Sequence, residues 1–227
     1  TALYGSRASN GVILITTKRG QGGKTSIDYN AFVTVEGIAR QVETTDADEF
    51  LRLREVAYRH FNPDSSDAAV NSDVASLDKG NNTDGMDEVT QTAISQVHNL
   101  SMSGGIGGTS YRAAFNLRDI QGIGINTGFL QLNGRLNLSQ KALNDRLTVG
   151  LNVSATQRNS DFGFSEAFRY AALYNPTAPV LTTESDPLFE KYGGYYQQEN
   201  FDYFNPVAIA EQGENEGVLK DLLINLR

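Results

Sequence analysis

Cysteine and tryptophan are absent from this 227-residue sequence, histidine occurs only twice, and proline five times. Without cysteine there is neither a disulfide framework nor a thiolate metal site. Acidic residues outnumber basic ones, 27 to 19, for a formal charge of −8. That balance weighs against a nucleic-acid binder, which needs a basic face over the phosphates, and against a polybasic membrane-surface anchor. Long apolar runs are missing too: Val12-Ile13-Leu14-Ile15 is the longest strong one, against the ~20 residues of a membrane-crossing helix. A β-barrel wall has no such run, because polar interior residues interrupt the apolar ones, so a membrane of that kind stays open. The opening Thr1-Ala2-Leu3-Tyr4 lacks the basic and apolar regions of a secretory leader, and any targeting segment is expected elsewhere in a longer chain.

What the sequence has is alternation. Ile27, Tyr29, Ala31, Val33 and Val35 oppose Ser26, Asp28, Asn30, Thr34 and Glu36. Tyr111, Ala113, Phe115 and Leu117 oppose Ser110, Arg112, Asn116 and Arg118, and Leu130, Leu132, Leu136 and Leu138 oppose Gln131, Asn133, Arg135, Asn137 and Ser139. Side chains of a strand point alternately to opposite faces, so each such segment has one apolar and one polar face. Six strands are predicted, near 25–36, 97–105, 109–119, 128–139, 147–158 and 218–227.

A soluble antiparallel sheet and a membrane barrel both produce this period. The connections favour the barrel. Long stretches at 37–96 and 159–217 follow the first and fifth strands, and a middle-sized one, Ile120 to Thr127, follows the third. Short links, Gly104 to Gly108 and Gln140 to Arg146, follow the second and fourth. An up-and-down meander then carries all its long loops at one end, as outer-membrane barrels do with long extracellular loops and short periplasmic turns. The expected fold is all-β: part of a large antiparallel transmembrane β-barrel with short helices in the long loops. Six strands fall short of the about eight of the smallest single-chain barrels, and the sequence stops within a strand, so a fragment of a longer chain is expected.

Two loop helices are predicted. Asp46 or Asp48 can cap one running through Phe50, Leu51, Leu53, Val56 and Tyr58 to His60, stopped before Pro63. Ser165 can cap another through Phe168, Ala171 and Leu173, ending near Asn175-Pro176.

Catalysis has little support, and no cofactor or metal site is expected. His60 and His98 have no neighbours at metal-ligand spacing, and no nucleophile-elbow pattern surrounds a serine. Gly104-Gly105-Ile106-Gly107-Gly108 runs from strand to strand rather than from strand to helix, which makes it a tight hairpin and not a phosphate loop. The acidic stretch Asp78 to Glu88 lacks the ligand order of an EF-hand; it reads as a solvated loop, with a loose calcium site as the alternative. The aromatic loop is the candidate site: Tyr192, Tyr195, Tyr196, Phe201 and Tyr203, with Phe189 and Phe204 beside them and Gln197, Gln198, Asn200 and Asp202 between. Aromatic faces beside amides and carboxylates suit a sugar, whose C–H face stacks while its hydroxyls hydrogen-bond. A partner protein would use the same residues, and a loop packing its own small core would as well.

The opening stretch Ala2 to Gly20, with Tyr4-Gly5-Ser6-Arg7 and Asn10-Gly11-Val12-Ile13-Leu14-Ile15, resembles the end of the plug in SusC/RagA-like TonB-linked outer-membrane proteins. Further stretches resemble the same family in order: Asp87-Glu88-Val89 with Thr92 to Gly105, Leu132 to Leu138 with Asp145 to Asn152, Asn175-Pro176-Thr177-Ala178-Pro179, and Asn205-Pro206-Val207. One departure is Asp84-Gly85-Met86, where the family often carries a tryptophan. The resemblance implies that residues 1–23 finish the plug, with Tyr4, Gly5, Arg7, Asn10 and Gly11 as its closing motif, and that 24–227 form the first six barrel strands. It also implies energised import of a nutrient across the cell outer membrane, an oligosaccharide first and a peptide second. The implied partners are a SusD-like surface lipoprotein, TonB acting through an upstream segment outside this chain, and outer-membrane lipid. Two other readings stay open at this point: a TonB-dependent siderophore or vitamin receptor, and a soluble β-rich adhesin.

Overall fold

The computed structural model of the chain describes residues 23–198 and 204–227. Its strands are β1 (Gly23–Glu36), β2 (Ala93–Ile106), β3 (Thr109–Gln121), β4 (Gly128–Ala142), β5 (Leu147–Asp161) and β6 (Glu216–Leu226). They form one six-stranded meander in sequence order, each antiparallel to its neighbours. β4 and β5 have 15 residues each, about 50 Å at ~3.4 Å per residue, more than the ~9–11 residues a tilted strand needs to cross a bilayer. No helix among the described residues is long and apolar enough to do so.

The register lines residues up across the sheet. Ile27, Met102, Ala113, Leu136, Val153 and Ile224 form one cross-strand row. The next row on that face is Tyr29, Leu100, Phe115, Gly134, Ala155 and Leu222. Through these rows the face is apolar, and no second layer of described residues packs on it: Ile27, Val33 and Ile224 are 67%, 66% and 61% exposed. A continuous apolar surface of this extent is foreign to a soluble monomer. The opposite face is polar, and its row of Asn30, Asn99, Asn116, Asn133, Thr156 and Asp221 is hydrogen-bonded sideways. Asn99 donates to Asn30 Oδ1 at 2.9 Å, Asn116 to Asn99 Oδ1 at 2.6 Å, and Asn133 to Thr156 Oγ1 at 2.6 Å. Phe32, Leu219 and Leu223 interrupt this polar face at its two edges.

The buried core lies at one end of the sheet. The β1–β2 connection carries α1 (Ala47–Phe61), α2 (Asp67–Leu77) and α3 (Gly85–Glu88), and the β5–β6 connection carries α4 (Ser165–Ala171) and α5 (Pro206–Gln212). With the β3–β4 loop they form a cap at the same end. Its buried apolar centre is Val89, Ala171 and Val207, with Met86, Ile125, Val180 and Tyr195 packed around it. Asp46 begins α1 by accepting the Glu49 N–H at 2.8 Å, and Arg54 grips Asp73 of α2 through two bonds of 2.7 and 2.9 Å. The two long connections meet where Gly85 lies against α4: a Cβ there would stand 2.5 Å from the Ala171 carbonyl oxygen. At the opposite end the links are short. Gly107 and Gly108, at φ +59° and +84°, turn β2 into β3, as the glycine run predicts.

Some expectations shift. β2 begins at Ala93 rather than 97, since Ala93 and Ser95 are buried under the cap and keep the extended conformation there. Ser165 does not cap α4; Phe164 holds the cap position without a side-chain bond, and the Ser165 hydroxyl turns to Glu166. The stretch Asp78 to Glu88 contains α3, and its carboxylates serve the backbone: Asp78 accepts from Gly80, and Asp84 from Met86 and Asp87. The plug-end motif Tyr4, Gly5, Arg7, Asn10 and Gly11 lies outside the described residues.

Candidate functional site

Two surfaces are candidates: the loop cap and the polar face of the sheet. In the cap, Val180 to Tyr196 form a small hairpin, with Leu181 bridged to Tyr195, the Thr182 N–H on Gly194 O and the Tyr196 N–H on Val180 O. It is anchored by two Asn-Pro motifs. Asn175 donates to Leu77 O at 2.9 Å and accepts the Thr177 N–H at 3.0 Å; Thr177 Oγ1 donates to Leu77 O at 2.6 Å. Asn205 starts α5 by accepting the Val207 and Ala208 N–H groups, while its amide donates to Val180 O and Tyr196 O at 2.8 and 3.0 Å. Both asparagines are buried. Polar side chains at this depth are tolerated because their own donors and acceptors are satisfied, largely by backbone groups of the loops they join.

The three described aromatics of the predicted site share this hairpin but have different surroundings. Tyr195 packs on the Val89–Ala171–Val207 core and donates its hydroxyl to Glu211. Burial first, and then the Glu211 carboxylate, push its pKa up to about 12. Tyr192 tilts against Phe204 with ring centroids 6.5 Å apart, under the Lys191 ammonium at 4.9 Å. Tyr196 walls an open groove of about 730 Å³ between the hairpin and the α1–α2 pair, with Arg54, Lys79 and Asp186 on its other sides. The Asp186 carboxyl is held below the usual carboxylate range by the Leu188 N–H and the Thr182 hydroxyl. Gln197 and Gln198, read from sequence as sugar-facing amides, accept bonds from the Asn205 N–H and the Asn175 amide. Phe201 and Tyr203 lie outside the described residues.

The polar face carries what sequence reading missed. Register brings Arg118, Gln131 and Arg158 side by side. Both guanidinium groups stack on Phe129, at 5.3 and 3.8 Å from the ring centre, an arrangement favoured by the ring's negative face. Arg135 and Arg112 lie further toward the short-turn end. Individually these residues read as ordinary polar positions of separate strands. The register that joins them is not written in any one segment. Among the described residues no group of three or more carboxylate or histidine side chains is arranged to hold a metal ion.

No protein-family model matches the chain. The TonB-dependent receptor SusC of Bacteroides thetaiotaomicron is 32% identical over 204 residues, which cover 88% of this chain and 19% of that protein. TonB-dependent receptor P3 of Formosa agariphila is 28% identical over 226 residues, 95% of this chain and 20% of the relative. The chain thus spans about a fifth of the length of the curated relatives it matches. Among solved structures, the RagAB peptide importer in its closed-closed and open-open states matches with TM-scores of 0.57 and 0.58 at 26% and 27% identity, over 70% of this chain and 20% of the other. An exposed apolar band, a hydrogen-bonded polar face, loops sorted to one end and these likenesses agree: the chain belongs to the SusC/RagA-like family of TonB-dependent receptors of the outer membrane, and its sheet is a stretch of transmembrane barrel wall.

Proposed function

We propose that the protein containing this chain imports a nutrient across the outer membrane, an oligosaccharide first, using energy delivered by TonB through a segment outside this chain and working with a SusD-like surface lipoprotein. The observation that carries the proposal is the two-faced sheet: one face exposed and apolar, suited to lipid, the other lined with asparagine, serine and arginine, suited to a watery lumen. On this reading the cap lies outside the cell, the short turns face the periplasm, residues 1–23 close the plug and the strands of 24–227 open the barrel. The Tyr196 groove and the neighbouring Tyr192 offer a first ligand contact, with Tyr195 holding the hairpin in shape. Binding, orientation and passage require no covalent chemistry.

A peptide is the second reading, supported by the structural neighbours named as a peptide importer. The test is uptake by cells that make or lack the full-length receptor, supplied with labelled oligosaccharide and peptide mixtures. Receptor-dependent depletion of oligosaccharides supports the proposal. Depletion of peptides alone moves the assignment to the second reading, and depletion of an iron chelate or vitamin alone refutes both.

A further inference from the structure

The polar face of the sheet holds Arg112, Arg118, Arg135 and Arg158 on β3 to β5, in a chain whose net charge is −8, while its carboxylates, Asp28, Glu36 and Asp221, stand on β1 and β6. None of the four has an ion-pair partner among the described residues; the ion pairs lie in the cap and in the turn after β4. Arg112 and Arg158 donate only to the hydroxyls of Ser101 and Ser160, each at 3.0 Å. Arg118 and Arg158 approach the same ring from two strands, so two like charges are brought together with no carboxylate of the described residues paired to either. Arg112, Arg118 and Arg135 line one continuous groove of about 490 Å³ with the asparagine row, and Asp28 is its single carboxylate. From Arg118, near the cap, to Arg112, near the short turns, the track runs six residues along β3, about 20 Å.

We infer that this face is an anion track, and that the imported ligand is a carboxylated oligosaccharide whose uronate groups pass along the four arginines. The inference rests on the import reading above. A guanidinium is the natural partner for a carboxylate because its planar donors match the two oxygens. Between the arginines stand Asn99, Asn116, Asn133, Gln131 and Thr156, which donate and accept and so match sugar hydroxyls on both counts. A peptide fits less well: its N-terminal ammonium would meet four arginines, with Asp28 in the groove and Asp221 in the asparagine row as the carboxylates able to receive it.

The test uses the full-length receptor, purified in detergent with its natural partner, and a panel of uronate oligosaccharides each beside its uncharged methyl ester and a glutamate-rich peptide of similar length. The expected result is at least tenfold tighter binding of an acid form than of its ester, a ratio that shrinks as salt rises. The double variant Arg118→Gln/Arg158→Gln should lose most of that ratio while its melting temperature stays unchanged. Equal binding of acid and ester overturns the inference, as does preference for the acidic peptide. A double variant that melts earlier but keeps the ratio also overturns it, by assigning the arginines to contacts within the protein. Uptake of neutral oligosaccharides by cells would leave the import reading standing in each of those cases; no uptake of any oligosaccharide or peptide would remove it.

Discussion

Leu136→Arg is the substitution on which the barrel-wall account is most exposed. Leu136 sits on the apolar face between Ala113 and Val153, with Met102, Ile27 and Ile224 in the same row. The row of Leu132 already contains His98, Gln157 and Lys220, and that of Leu130 contains Asp119 and Asn159, which marks the edge of the lipid-facing band. At the other end Gln140 stands in that position beside Thr109 and Val149. Leu136 is therefore near mid-depth. An arginine on the lipid face costs about 2–4 kcal/mol at the midplane and about 0–1 kcal/mol near the interface. The neighbouring Asn137 points to the opposite, polar face, where an arginine stands opposite Arg112 and costs only the ~0.2–1 kcal/mol of a like-charge cross-strand pair. The predicted destabilisation is largest for Leu136→Arg, by a factor of roughly 30 to 1000 in the folding equilibrium, and below about tenfold for both Leu130→Arg and Asn137→Arg. The assay is urea-titrated folding of the full-length receptor into lipid vesicles, read by the heat-modifiable band and by protease protection. Equal costs at Leu136 and Asn137, or a larger cost at Asn137, would refute the assignment of faces. Equal costs at Leu136 and Leu130 would refute the assignment of depth.

Three other outcomes are expected. Asn205→Ala removes two cap bonds of α5 and two bonds to the Val180 and Tyr196 carbonyls, and should cost the cap about 2–4 kcal/mol, seen as faster hydrogen exchange across 172–198; Asn205→Asp, which keeps the cap bonds, should fall between. Gly85→Ala places a Cβ 2.5 Å from the Ala171 carbonyl and should cost about 1–3 kcal/mol, opening α3 from α4 to limited proteolysis. Tyr195 has a folded-state pKa above its ordinary value, at about 12, so its contribution is intact below about pH 10 and is lost as pH rises through about 12; the difference in tyrosinate absorbance between wild type and Tyr195→Phe should show one late-ionising ring, and Glu211→Gln should bring that ionisation to lower pH.

The strands were legible because their pattern is local. Alternation in Leu130 to Ser139 or Ile27 to Glu36 needs no knowledge of neighbours, and the observed strands agree with the predicted ones to within a few residues. β2 is the exception at its start, where burial of Ala93 and Ser95 beneath the cap continues the strand past the point at which alternation is visible. α1 was legible through Asp46 and its apolar stripe. α5 was missed although Asn205-Pro206, a capping side chain followed by proline in the first turn, is the signature of a helix start. The arginine track was not legible because Arg112, Arg118, Arg135 and Arg158 come from three strands, and only the register, fixed by turn lengths and pairing, makes them neighbours. The aromatic loop was legible as a cluster, but composition does not distinguish Tyr195, which supports the hairpin, from Tyr196, which borders a groove.

These 227 residues contain no cysteine, so once any cysteine elsewhere in the full-length receptor is replaced, single cysteines introduced along β4 carry a spin label at known sites. The measurement that tests the account most directly is the accessibility of labels at 130 to 138 to oxygen, which partitions into lipid, and to a water-soluble nickel chelate. The account predicts strict alternation: Leu132, Leu136 and Leu138 reached by oxygen, and Gln131, Asn133, Arg135 and Asn137 reached by the chelate. A profile without a period of two, or with the chelate on the leucine positions, would contradict it.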